Sequence, residues 1–359
     1  MILTGFAAGS QRPERLLEQA LDKALGGARA RVSGALILFS PAQLPLPGAA
    51  LQRLAKRLQC PQIRAGSFPG LLANDDIVFA QPACALWLLA PPLGLGDQGT
   101  LSLLWAKPQY LDGGELPAHE RGQFGLISGK QSWFWRYPQS HQLLHTAFLG
   151  PITHRQLVST GISPLTEFFP HYRQEGALLL QLERYSALPL LARNIPFALR
   201  EAKRLPLDRL LLGERDAQSH VRYVQILATD TNRSGLWLER PLTANTQVFL
   251  AWRNPEAALR DTRAALELLD TEQGPPDFAW ISSSTGRASD FFPSAENDLR
   301  LWRSRFPRCP ILGSFSQAEV LDGPEGGRIT RFGTVFDAFY RLPQAADETP
   351  SLWQNTFRV

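Results

Sequence analysis

The chain has 359 residues, 44% of them hydrophobic and 19% charged, which excludes a disordered polymer and leaves room for two domains of ordinary size. Its formal net charge is +4, carried by scattered arginines interleaved with Asp and Glu; the only lysines are Lys23, Lys56, Lys107, Lys130 and Lys203. Dispersed arginine builds ion pairs inside folded domains and gives no clustered phosphate track, so nucleic acid is not expected as a partner.

No stretch approaches the roughly 18 apolar residues of a membrane helix, so no membrane insertion is expected. The three cysteines are an odd number and outline no disulfide framework, as in a cytoplasmic protein. The opening residues lack a basic leader and read as a first strand, not a signal peptide.

Residues 13–25 place Leu16, Leu17, Ala20, Leu21, Ala24 and Leu25 at helical spacing, with Pro13 in the first turn and Gly26-Gly27 as the stop. The apolar run 32–39 reads as a strand covered on both faces, 49–58 as a helix and 83–89 as a second buried strand. Residues 91–122 have the Gly/Pro-rich composition of a loop, and 123–136 alternate weakly as a strand. A new helix is expected from about 181, where the domain boundary is placed. Residues 222–228, 235–239 and 246–252 read as a three-stranded meander, followed by a helix from 255 to 269.

One phrase occurs twice. Cys60-Pro-Gln-Ile-Arg-Ala-Gly-Ser-Phe68 and Cys309-Pro-Ile-Leu-Gly-Ser-Phe315 each follow an apolar strand and a Leu/Arg helix and precede another strand. The expected fold is therefore a mixed α+β or α/β protein of two related domains, with mixed sheets covered by helices and an internal strand-helix-turn-strand repeat. The glycine-rich phosphate-binding patterns of nucleotide folds are absent from the sequence. Paired halves commonly hold a ligand in the cleft between them.

Several segments resemble the FIST domain family. They are the strand into Ser40-Pro41 with its following helix and Gly66-Ser-Phe68; Val158-Ser-Thr-Gly-Ile-Ser-Pro164; Glu183 to Leu191; Ile281-Ser-Ser-Ser-Thr-Gly-Arg287; and Ile311-Leu-Gly-Ser-Phe-Ser-Gln-Ala-Glu319. The resemblance runs from about residue 30 to 342. It implies an N-terminal FIST-like domain over 1–180, a C-terminal one over 181–343, and a tail over 344–359. It also implies a sensory protein of signal transduction that binds a small ligand such as an amino acid; separately, the sequence shows no assembled nucleophile, base and anion site, so no enzyme is expected. Its partner would be a histidine kinase or a cyclic-di-GMP enzyme. Some relatives resemble haem-based nitric-oxide sensors. The chain departs from the family where Ser283 or Ser284 replaces a cysteine, and where Arg331-Phe-Gly-Thr334 replaces a His-Asn-Tyr-Thr type segment.

Ser284 and Arg287 crowd a turn after an apolar strand, where an arginine can grip a carboxylate with two N–H groups. The alternative is an internal pair between Arg287 and a nearby acid such as Glu296. If the two Gly-Ser-Phe turns face each other, Ser67, Phe68, Ser314, Phe315 and Glu319 join Arg287 around one pocket, with Glu319 suited to an ammonium group. The alternative is that Gly66 and Gly313 merely permit tight turns and both phenylalanines are core. His141 and His145 stand four apart and would share one helical face, as metal or haem ligands or as ordinary histidines. Cys60-Pro61 and Cys309-Pro310 read as helix stops. Glu214 and Asp216 could serve acid/base chemistry in a hydrolase or transferase, but Arg215 and Arg222 nearby favour ion pairs.

Overall fold

The computed structural model describes residues 2–27, 30–99, 101–110, 122–129, 131–200, 205–288, 290–292, 296–322 and 328–342. The expected tail over 344–359 lies outside them. The structure is a mixed α+β fold dominated by sheets, and none of the described helices is long and apolar enough to cross a membrane.

Three six-stranded sheets follow one strand plan. In the first, the spatial order is Ile2–Ala8, Ala83–Leu89, Gly34–Ser40, Ile63–Ser67, Phe134–Arg136, Gln139–His141. In the second it is Gly94–Gly96, Leu144–Leu149, Leu101–Ala106, Gln123–Ile127, Ala318–Leu321, Arg328–Thr330. In the third it is Ile152–Ser159, Thr334–Arg341, Phe278–Ser284, Ile311–Ser316, Gly70–Ala73, Asp76–Phe79. In each, one parallel pair lies at the centre and all other pairings are antiparallel.

The last two strands of every sheet form a hairpin borrowed from elsewhere in the chain. The hairpin that follows the parallel strand Ile63–Ser67 of the first sheet joins the third, through Leu71 opposite Ser314. The hairpin following the second sheet's parallel strand joins the first, and that following the third's joins the second. The exchange closes a cycle, and residues on both sides of position 180 share the third sheet.

The alternation of side chains along each strand gives every sheet two faces. One face of each turns toward a common core holding Leu36, Trp87, Trp105, Phe124, Trp280 and Phe339, all fully buried. The opposite face of the first sheet is covered by helices Pro13–Leu25 and Gly48–Arg57, and that of the third by Pro255–Gln273 and Asp298–Arg305. Two of these helices are anchored as their sequences suggest. Gly26 adopts φ 53° at the end of Pro13–Leu25, while Asn254 caps Pro255–Gln273 by accepting from the amides of Glu256 and Ala257.

A fourth, antiparallel sheet runs Ile162–Pro164, Gln247–Arg253, Leu210–Arg215, Val221–Asp230, Gly235–Leu238, Leu178–Leu182, Tyr172–Glu175. The expected three-strand meander is corrected here: Leu210–Arg215 inserts between Gln247–Arg253 and Val221–Asp230. The helix expected from 181 is also displaced. Residues 178–182 and 185–186 pair as strands, because Leu179 and Leu182 fill that sheet's core, and the helix is Ala187–Asn194.

Candidate functional site

The two Gly-Ser-Phe phrases do not form facing turns. Both lie in or at the end of the parallel strand of their sheets, and they enter it out of step. Phe68 belongs to the common core, with its ring 5.2 Å from that of Trp105 and 6.0 Å from that of Phe134. Phe315 points to the helix-covered face and meets Phe79 edge-on at 5.3 Å. Because side chains alternate along a strand, a slip of one residue sends like residues to opposite faces. Ser67 is likewise occupied: its hydroxyl donates to the carbonyl of Ala42 at 2.6 Å and accepts from the amide of Trp133 at 2.9 Å.

Arg287, 3% exposed, is held from several sides. Its Nη1 pairs with Asp298 at 2.9 Å and reaches the hydroxyls of Ser159 and Thr334, and its Nη2 donates to the carbonyl of Ser159 at 2.8 Å. The internal-pair alternative therefore describes Arg287, with Asp298 as the acid; Glu296 pairs with Arg263 instead. Ser314 is fully buried, and its hydroxyl finds no partner among the described residues.

His141 and His145 do not share a helical face. His141 ends a strand of the first sheet opposite Phe134, and His145 stands in the second sheet opposite Leu104. The helical face on which the haem or metal alternative depended is therefore not formed. Among the described residues, no three His, Cys, Asp or Glu side chains gather as a metal site. Glu214 accepts from Arg240 and from the amide of Thr243, so it serves an ion pair, though not with Arg215 or Arg222.

The structure instead brings polar groups together where the fourth sheet meets the end of the third. A cleft of about 650 Å³ opens there, with Arg209 and Arg253 on one wall and Ser284, Phe291, Arg331 and Phe332 on the other. Phe79 and Pro108, from the first half of the chain, complete it.

Arg253 dominates this cleft. It is 6% exposed, at the end of the buried strand Gln247–Arg253, with its guanidinium over the rings of Phe291 at 5.1 Å and Phe332 at 5.6 Å. Its Nη1 donates to the carbonyl of Asp208 at 3.3 Å, while Nε and Nη2 are buried with no acceptor among the described residues. These two nitrogens form one edge of the guanidinium, the geometry that grips a carboxylate or phosphate with two parallel hydrogen bonds. Burial and the like charge of Arg287 lower its pKa to about 10, so it remains a cation at neutral pH.

The backbone around Arg253 is specialised. A Cβ on Gly286 would lie 2.2 Å from both Nη1 and Nη2, so any larger residue there would displace the Arg253 guanidinium. Phe332 adopts φ 66°, a conformation costly for a bulky residue, and its ring is shared by Arg253 and Arg331. Arg331 also pairs with Glu239, and Arg209 donates to the carbonyl of Asp290, tying the two walls together.

Glu319 lies behind this wall, fully buried. Oε1 accepts from the hydroxyl of Ser316 at 2.9 Å, and Oε2 has no partner among the described residues. Burial pushes its pKa up to about 8, against the opposing pull of Ser316, Arg287 and Arg331. Of the residues singled out in the sequence, Ser284, Arg287, Phe315 and Glu319 therefore gather at this end of the third sheet, and Ser67 and Phe68 do not. Arg253 and Phe332 were missed. A charged residue closing the apolar run Val248-Phe-Leu-Ala-Trp252 was the available signal. No protein-family model matches the chain, and no curated protein matches it.

Proposed function

We propose that this chain is a non-catalytic sensory protein that binds a small anion in the cleft around Arg253 and passes the binding event to a partner protein. One observation carries the reading: a buried arginine at the cleft holds the two N–H groups of one guanidinium edge with no acceptor among the described residues. Leaving buried donors unmatched costs roughly 1–3 kcal/mol, a cost that a bound carboxylate or phosphate removes. The resemblance to FIST domains supports the sensory role. It also frames the cleft as a meeting of two related halves, 1–180 and 181–343, since Phe79 and Pro108 of the first stand against residues of the second. In this reading the ligand shifts the balance between open and closed clefts, working against the Arg331–Glu239 and Arg209–Asp290 ties across it.

The test is a thermal-shift and calorimetric screen of sulfate, acetate and larger carboxylates and phosphates against the wild type and Arg253→Met. Anion-dependent stabilisation of the wild type is expected, with at least a tenfold loss of affinity in the variant. Equal stabilisation of both proteins would remove Arg253, and with it this site, from the function.

A further inference from the structure

Glu319 stands one hydrogen bond behind the cleft wall: its Oε1 accepts from Ser316, which lies opposite the lining residue Ser284, and Gln317, between Ser316 and Glu319 in the chain, also lines the cleft. Glu319 lies on the strand Ala318–Leu321, opposed by Leu126 and Thr330 on the neighbouring strands, neither of which titrates. The charged groups acting on it are Arg287 from the turn after Phe278–Ser284 and Arg331 from the loop before Thr334–Arg341, and its charge in turn acts on Arg253. No cation lies within ion-pairing distance of Glu319 among the described residues. Only one of its oxygens is hydrogen-bonded, to a neutral hydroxyl. Arg287 is already matched by Asp298 and Arg331 by Glu239, whereas Arg253 has no carboxylate at ion-pairing distance among the described residues, although Asp208 and Arg209 also act on it electrostatically.

We propose that Glu319 makes anion binding at Arg253 proton-linked, so that the site holds its ligand's negative charge together with a proton on the Glu319 carboxyl. This deepens the reading of the cleft as an anion site and rests on it. When Glu319 is protonated, the field of Arg253 is left for the ligand. When it ionises, its proton passes to solvent, and a fixed negative charge behind the wall weakens the pull on an incoming anion. The ligand, by lowering the net positive potential, in turn makes Glu319 harder to ionise. The linkage acts in one direction: affinity is full below the pKa of Glu319 in the free protein and declines above it. That pKa lies near 8, so physiological alkalinisation is enough to move the site.

The experiment uses sulfate, whose charge is constant over the range, with the full chain. Affinity is measured by calorimetry from pH 6.5 to 9.5, in two buffers of different ionisation enthalpy. The wild type is expected to hold constant affinity below about pH 7.5, then weaken about tenfold per unit above pH 8 until the bound-state pKa is reached. The buffer dependence of the heat should show uptake of up to one proton. Glu319→Gln should hold its pH 6.5 affinity up to pH 9.5 and take up no proton. Should the glutamine variant not fold, the buffer dependence of the wild-type heat still decides. Binding that needs Arg253 but is equally flat with pH in both proteins, with no buffer dependence, would overturn the linkage alone. No sulfate binding in the wild type would overturn the anion site beneath it.

Discussion

Two buried arginines stand near one end of the third sheet, and their surroundings give them opposite roles. Arg287 is an internal strut: both of its Nη atoms are engaged by Asp298, Ser159 and Thr334, and only Nε lacks an acceptor among the described residues. Arg253 keeps one buried edge, Nε and Nη2, without an acceptor among the described residues. The difference predicts different phenotypes. Asp298 accepts from Thr262 and Thr334 as well as Arg287, so Asp298→Ala would strand a buried cation and orphan two hydroxyls. A loss of about 3–5 kcal/mol of stability is expected, read from urea unfolding. The Arg253→Met change removes a charge that has no carboxylate at ion-pairing distance among the described residues, and its effect should fall on ligand affinity more than on stability. A single sequence could not separate these two arginines. One closes an apolar strand and the other the turn just after one, and what distinguishes them is the arrival of Asp298 at Arg287 and of Gly286 and Phe332 at Arg253.

At the scale of elements, local signals fixed what local forces build. The helix expected over 13–25 and the strand over 83–89 occupy those residues, because their spacing and their stop signals belong to the segments themselves. The segment 91–122 read as loop, yet Leu101–Ala106 is a fully buried central strand. Its apolar run was masked by the Gly- and Pro-rich residues beside it. His141 and His145 failed for a related reason: four-residue spacing suits a helix, but Tyr137-Pro138 and the pairing of Phe134–Arg136 with Gln139–His141 make a hairpin. The helix Pro255–Gln273 offers a clean test of a local cap. Asn254→Ala should cost about 1 kcal/mol, lowering the midpoint of thermal unfolding, and Asn254→Asp should restore most of it.

For the whole molecule, the cyclic exchange of hairpins decides what can stand alone. The third sheet draws Gly70–Ala73, Asp76–Phe79 and Ile152–Ser159 from before residue 180 and its central strands from after it. A fragment of residues 1–180 would leave the Gly70–Phe79 hairpin and Ile152–Ser159 without the central strands they pair with, and bare the Trp105 and Phe124 rings that Trp280 and Phe339 cover. It should therefore be insoluble or lack a cooperative unfolding transition when made by itself. Co-expression with 181–359 should recover a soluble complex; an independently folded, cooperative 1–180 would contradict the exchange. The sequence phrase that occurs twice pointed to two recurring segments. It could not show that three sheets share one plan, because the second sheet carries no copy of the phrase and its strands are recognisable only by pairing.

The hairpin Gly70–Phe79 also imposes a wait. Its partner strand, Ile311–Ser316, leaves the ribosome roughly 230 residues later. At typical synthesis rates of about 5–20 residues per second, that is a delay on the order of ten to fifty seconds. Through that interval the nascent chain carries an unmatched strand edge flanked by Leu71, Leu72 and Phe79. An edge of that kind attracts other chains, so the yield of this protein should depend on holdase chaperones during translation more than its finished stability would suggest.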